Sequence, residues 1–311
     1  MGGAALAGAS GLKPAPDICE HAAVMPAPSW PAIDAAQRCD VPRLPFIVDG
    51  VVLGSVARAH LPSLAPWPQW FDLGGVAVTL RATHETLTAA LAQVNTRLRD
   101  AGLITAWRDE AYPLLHALGA PPVALIERAS ARFWGTLTFG AHCNGYVADA
   151  SGRPTHLWIA RRANHKPTDP GKLDNLVGGG VPHGQSPFEA LVREGDEEAG
   201  LDAPTMRRAR PGRIIAIRCD VAEGFMHEQI HGYDLLLADD VVPVNRDGEV
   251  QTIQRLPVAV AIARAAAGEM TVDAALVTLD FALRHVLLDA TAAAMLARRL
   301  QPLLCGGAAL A

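Results

Sequence analysis

GGGVPHGQSPFEALVREGDEEAGL, residues 178–201, is the stretch from which the architecture of this chain is read. Its centre carries the local signals of a helix in their proper order. Ser186 is a good N-cap, Pro187 suits the first helical position, and Glu189 three residues after Ser186 completes a capping box. Gly200 is the expected stop. At 100° per residue, Phe188, Leu191, Val192, Gly195 and Ala199 fall on one side, the face to be buried. Glu194, Glu197 and Glu198 share another sector, so their spacing predicts carboxylates that converge on a common point. Like charges so placed destabilise a helix by a few tenths of a kcal/mol per pair, roughly, and Arg193 is positioned to pair with Glu197. A divalent cation would neutralise the group, and hard oxygen ligands suit Mg²⁺ or Mn²⁺, which bind substrate phosphates as well. The glycines ahead of the helix, Gly178, Gly179, Gly180 and Gly184, predict a tight loop whose backbone approaches a ligand closely. On the three glutamates alone, a solvated charged face is the commoner outcome.

Around this segment the chain reads as a soluble globular protein of two domains. It has 311 residues, half of them hydrophobic and 19% charged, which excludes wholesale disorder, a collagen-like repeat and a disulfide scaffold. With 27 Lys and Arg against 32 Asp and Glu the net charge is −5, so no overall basic field draws it to nucleic acid or an anionic bilayer. Cys19, Cys39, Cys143, Cys219 and Cys305 are odd in number and lack a Cys-x-x-Cys pair, which fits reduced thiols in the cytoplasm. Residues 1–11 lack the basic region of a secretory signal, Leu6 stands where myristoylation wants Ser or Thr, and no apolar run reaches the length of a bilayer span.

The expected division is a disordered tail over 1–30, a small α+β domain over 31–138 and a second domain over 139–311. Asp49-Gly50 between two apolar runs predicts a hairpin, and the spacing of Leu87, Leu91, Val94 and Leu98 predicts a helix over 85–100. A short helix is expected over 124–131. Strands are expected at 142–148, 157–160, 175–177, 213–217 and 233–237, and Ala- and Leu-rich helices at about 257–267, 274–287 and 290–302.

The string from Gly179 to Leu201 resembles the Nudix box, G-x5-E-x7-R-E-U-x-E-E-x-G-U with U aliphatic. Gly179, Arg193, Glu194, Glu197, Glu198, Gly200 and Leu201 match in register. Two positions depart from it. Gln185 replaces the first Glu, which puts metal affinity or stoichiometry in question, and Gly195 replaces the aliphatic residue, costing about 1 kcal/mol of helix propensity. Flanking runs are similar to a branch related to the Nudix part of fungal thiamine pyrophosphokinase proteins. They are NGY (144–146), LWIARR (157–162), PGKLDNLVGGGVPHG (170–184), YDL (233–235) and NRDGEV (245–250). WRDE (107–110) and IERA (126–129) look like that branch's N-terminal domain.

The resemblance implies a Nudix α/β/α sandwich with a mixed sheet, preceded by a small α+β domain. It also implies a Mg²⁺-dependent hydrolase, Mn²⁺ being the second choice, that cleaves thiamine diphosphate or its oxidised or damaged forms to the monophosphate and phosphate. Glu194, Glu197 and Glu198 are then the metal ligands, with Arg193 orienting Glu197. Glu249, in the turn Asp247-Gly248-Glu249, becomes a further ligand or general base, or else a solvated turn residue. Arg161, Arg162, Lys166 and Lys172 are candidates for the terminal phosphate, and Gly179 and Gly180 for backbone contact with the substrate; a plain basic patch is the competing reading. His183 and Trp107 are read as structural. The box chemistry leaves two alternatives open: a pyrophosphatase acting on ADP-ribose, a dinucleotide or a nucleotide sugar, and a sensor that binds a diphosphate without turning it over.

Overall fold

The computed structural model describes residues 30–305, so the expected tail lies outside the described residues but for Trp30. The first part of the chain runs α1 (Pro31–Ala35), β1 (Arg43–Val48), β2 (Val51–Ala57), α2 (Leu61–Leu64), β3 (Phe71–Asp72), β4 (Val78–Leu80), α3 (His84–Asp100), β5 (Ala111–Leu114), β6 (Ala124–Glu127) and α4 (Ser130–Trp134). The second runs β7 (Leu137–Ala148), β8 (Pro154–Arg162), β9 (Leu173–Asp174), β10 (Val177–Gly180), α5 (Pro187–Ala199), α6 (Ala203–Met206), β11 (Arg210–Val221), β12 (Gly224–Leu236), β13 (Val250–Pro257), α7 (Val258–Ala266), α8 (Val272–Arg284) and α9 (Ala290–Leu300). Among the described residues no helix is long and apolar enough to cross a membrane.

In the N-terminal part β2-β1-β4-β3 form a four-stranded sheet on which α3 lays its apolar stripe, Leu87, Leu91, Val94 and Leu98. Asp49 and Gly50 both take positive φ, which matches the right-handed twist of the β1–β2 hairpin. The residues expected to form a helix at 124–131 instead divide into β6 and α4. Ala124 and Ile126 point inward while Leu125 and Glu127 are half-buried, a period of two, and the segment pairs antiparallel with β5. Trp134, fully buried, ties α4 to α3 by donating its indole N–H to Asn95 Oδ1 (2.8 Å), whose amide donates in turn to Ser130 Oγ (3.1 Å).

The larger sheet has the order β11-β12-β7-β8-β13, with β10 paired to β7 and β9 to β8. β7 and β12 run parallel and the remaining pairs antiparallel, so the sheet is mixed. Alternation along β7 assigns the two layers. Leu137, Phe139, Ala141 and Cys143 face α5 and α6, whereas Asn144 reaches the Val277 carbonyl on α8 on the opposite face. The chain is a mixed α/β protein. Strand β13 is absent from the sequence reading because half of its residues, VQTIQRLP, are polar and it is an edge strand, half-solvated on both faces. Trp30, Ile33 and Ala36 pack with the α7–α8 layer, so the first described helix belongs to the core of the C-terminal sheet.

The two parts are joined closely. Asp220 accepts from the backbone N–H groups of Asp40 (2.6 Å) and Val41 (2.8 Å), and Arg132 donates to Glu228 (3.1 Å). Between them lies a recess lined by Ser55, His116, Arg218 and His227. Burial, with the Arg218 charge adding to it, lowers the His227 imidazole to about 4. The unfolded chain therefore binds a proton at His227 from about pH 6.5 downward, while the folded chain resists it until about pH 4. Stability is complete above the unfolded value and is lost as pH falls through that window, by roughly 2 kcal/mol after allowance for partial solvent screening. Urea unfolding at pH 7.5, 6 and 5 is expected to show a shallower acid slope for His227→Gln than for wild type.

Candidate active site

Helix α5 begins and ends as its sequence dictates. Ser186 accepts from the Glu189 N–H, Glu189 accepts from the Ser186 N–H (2.8 Å), and Gly200 closes the helix in the left-handed conformation at φ 63°. Ala190, Leu191, Gly195 and Ala199 are buried against the sheet. Glu194 neighbours both of the other glutamates, but Glu197 and Glu198 turn apart. Arg193 donates to Glu197 Oε2 (2.7 Å) and Glu194 Oε1 (2.8 Å), leaving the Glu197 side chain 44% exposed. Glu198 turns the other way, towards the edge of β10, where it accepts from the Gly178 N–H (2.9 Å) and is only 7% exposed. Residues 197 and 198 leave the helix about 100° apart, and Arg193 on one side and the Gly178 N–H on the other hold them apart.

The predicted glycine loop is a strand. Gly178, Gly179 and Gly180 pair antiparallel with β7, opposite His142, Ala141 and Gly140. A Cβ at Gly179 would collide with the Glu194 carboxylate, and one at Gly180 with the Tyr112 hydroxyl. These glycines make room for side chains of the protein, and Gly178 and Gly179 remain partly exposed. Gly184, with φ 86°, is the one that serves the turn before the helix.

Glu198 lines a recess together with Ala160, Arg162, Lys166, Asp174, Asn175, Glu249 and Val250. Glu249 arrives there because the preceding loop is zipped onto the end of α5: the N–H groups of Val244 and Arg246 donate to the carbonyls of Ala199 and Glu197, both at 2.9 Å. These bonds satisfy carbonyls that a helix end leaves free. Glu249 is paired with Lys166 and lies 3.9 Å from Arg108. Arg162 points into the recess and donates to Asp174 (2.9 Å). Arg161 and Lys172, grouped with them in the sequence reading, are elsewhere. Strand alternation sends Arg161 to the other face of β8, where it donates to the Gly171 carbonyl (2.6 Å), and Lys172 pairs with Asp169 (2.6 Å) in solvent. His183 donates its backbone N–H to Ala111 (2.9 Å), and Trp107 packs at the margin of the N-terminal core.

Burial raises the Glu198 carboxyl well above its ordinary range, and the neighbouring Glu194 and Asp174 charges push the same way against the Gly178 N–H and Lys166. Glu194 is raised as well, first by burial, with Arg193 opposing. Glu249 is lowered, since the hydrogen bond and charge of Lys166, with Arg108 and Arg128 behind, outweigh its burial. Carboxyls that burial drives to favour a proton fit a cation by chemistry, and their oxygens suit Mg²⁺ or Mn²⁺. Among the described residues no three Asp, Glu, His or Cys side chains stand close enough together to hold an ion as they are; the Arg193 fork engages two of the three candidates.

Sequence reasoning missed a buried polar chain leading away from the recess. His142 Nδ1 lies 3.0 Å from Asn175 Oδ1; Asn175 donates to Asn144 (3.0 Å) and Thr278 (3.2 Å); Asn144 donates to Asp234 (3.2 Å). Burial alone would raise Asp234, but hydrogen bonds from His285, Arg284 and Asn144 together with the Arg284 charge hold it below its usual range. The available signal was polar residues inside apolar strand runs, Asn144 and Asn175 among them. Arg108 and Arg128 were also missed as site residues, and no spacing connects them to a helix more than fifty residues away.

Residues 32–138 match a domain of unknown function (DUF4743), and residues 141–276 match the NUDIX domain. Nudix hydrolase 24, chloroplastic, from Arabidopsis thaliana is 36% identical over 251 residues, covering 79% of this chain and 68% of that protein. Nudix hydrolase 20, chloroplastic, from the same plant is 35% identical over 260 residues, covering 78% and 68%. A crystal structure from Deinococcus radiodurans is 24% identical with a TM-score of 0.39, covering 52% of this chain and 92% of that one.

Proposed function

The chain belongs to the Nudix hydrolase family, and from that premise we propose that it cleaves the diphosphate of thiamine diphosphate, or of an oxidised or damaged analogue, to the monophosphate and phosphate. It is a hydrolase of phosphoric anhydride bonds, active on a diphosphate substrate. The observation that carries the reading is the recess where Glu198 and Glu249 meet Lys166 and Arg162, acid and base on one wall. The thiamine preference is supported by the flanking runs, including NGY at 144–146 and LDNL at 173–176, two of whose asparagines build the polar chain under the recess.

Glu194 and Glu198, with Glu197 once Arg193 releases it, are the residues that would hold a divalent ion. Such an ion supplies positive charge against the phosphoryl oxygens and acidifies water. The rest falls to side chains. Lys166 and Arg162 offer charged donors to phosphate oxygens. When a phosphate draws Lys166 away, Glu249 loses the partner that keeps its carboxyl low, becomes a stronger base, and takes the proton of the water that attacks phosphorus. The bond to the bridging oxygen breaks, and phosphate and the monophosphate ester leave. Arg193 aligns Glu194 and Glu197.

A substrate panel with product identification, run with Mg²⁺ and with Mn²⁺, tests this. Expected is a kcat/KM for thiamine diphosphate or its oxidised forms at least about 10-fold above that for ADP-ribose, a dinucleotide or a nucleotide sugar. The reverse order assigns the site to nucleoside diphosphate derivatives. Thermal stabilisation by these ligands without release of product marks a sensor.

A further inference from the structure

The N-terminal domain reaches the Glu249 edge of the recess through Arg108, and its arginines have the geometry of a phosphate clamp. β5 lies beside the loop leading into α5, held by the bond from the His183 N–H to the Ala111 carbonyl (2.9 Å). From β5 the Tyr112 side chain covers Gly180, and the Arg128 guanidinium stacks over the Tyr112 ring, 5.5 Å from its centroid. Glu110 accepts from Arg128 Nη1 (2.9 Å) and holds the fork in place. This is the one side-chain hydrogen bond of Arg128 among the described residues, so most of its five donors remain free, and its side chain is 39% exposed. Arg128 Nη2 lies 3.2 Å from where a Gly180 Cβ would be, and its charge is felt by both Glu194 and Glu249. Arg108 stands 3.9 Å from Glu249, with its backbone N–H fixed by Glu127 (2.8 Å). In a chain of net charge −5, Arg162 and Lys166 line the recess that holds Glu198 and Glu249, and Arg108 and Arg128 add positive charge on the Glu249 side.

Resting on the diphosphate reading of this site, we infer that Arg128, assisted by Arg108, binds the terminal phosphate of the substrate, so that the N-terminal domain completes the active site. A planar fork held by an acid at one edge and by an aromatic ring on its face is pre-organised for two phosphate oxygens. Arg108 follows the phosphate as its charge displaces Glu249.

The test uses the full chain and two readouts. Affinity for methylenediphosphonate, which cannot be hydrolysed between its phosphorus atoms, is measured calorimetrically, and kcat and KM are measured on the best substrate of the panel. Arg128→Ala is expected to weaken phosphonate binding by about 10- to 100-fold and to lower kcat/KM similarly. Arg128→Lys keeps the charge without the fork and is expected to fall between wild type and Arg128→Ala. Arg108→Ala is expected to lose less, about 3- to 10-fold. Arg81→Ala, an exposed arginine of the same domain paired with Asp72, is the unchanged control. Should Arg128→Ala fold poorly, Arg128→Lys and Arg108→Ala carry the test. Phosphonate affinity and KM unaltered in these variants, in an active enzyme, overturn the inference. A wild type inert towards every diphosphate ester overturns the hydrolytic reading instead, while phosphonate affinity still tests the arginines.

Discussion

Glu198→Gln is expected to lower kcat on the preferred diphosphate by about 10³-fold while leaving the fold at least as stable as wild type in the absence of divalent ions. Glu198 is buried, takes the Gly178 N–H, and faces the charges of Glu194 and Asp174. Glutamine keeps an oxygen for that N–H and removes the charge. The folded-state pKa of Glu198 is raised, so between about 4.5 and that raised value the folded chain binds a proton the unfolded chain has lost. Wild-type stability therefore falls as pH rises through the window, and the variant lacks this fall. Urea midpoints should agree near pH 4.5 and separate towards pH 7.5 in favour of the variant. Adding Mg²⁺ should raise the wild-type midpoint and leave the variant's nearly unchanged. A variant within 10-fold of wild-type kcat, or one less stable at pH 7.5 without metal, would mean that Glu198 is a structural acid.

What was legible beforehand is what lies close along the chain. Ser186, Pro187, Glu189 and Gly200 specify a helix by contacts within it, and each behaves as its chemistry requires. The hairpin at Asp49-Gly50 is likewise local. Helix geometry also put Glu194, Glu197 and Glu198 in one sector, but which way each turns depends on Arg193 and on the free edge of β10, neither of which a helical wheel contains. The glycine run was read as a loop and is a strand, with Glu194 and Tyr112 filling the space where Cβ atoms of Gly179 and Gly180 would lie. Arg162 and Arg161 are neighbours in sequence and opposites in space, a distinction that needed the strand's pleat. Tyr112 and Arg128 come to the site through the docking of β5 beside the helix entrance, a tertiary event without a local signal.

The same limit governs Gly195, which departs from the box where an aliphatic residue is usual. A Cβ on Gly195 would lie 2.6 Å from Met206 Cγ, Sδ and Cε, so the missing side chain is supplied from α6, and Met206 is fully buried. Gly195→Leu gains about 1 kcal/mol of helix propensity but overpacks this site, and a net loss of about 2 kcal/mol is expected. Met206→Ala opens a cavity and should cost about 3 kcal/mol. Combined, the two changes exchange the origin of one volume of hydrocarbon, leucine from α5 for methionine from α6. The double variant should therefore be more stable than the sum of the single losses by at least about 1 kcal/mol in a urea-melt cycle. Additivity within about 0.5 kcal/mol would show that the two positions do not share the space, and the departure at Gly195 would then have no packing explanation.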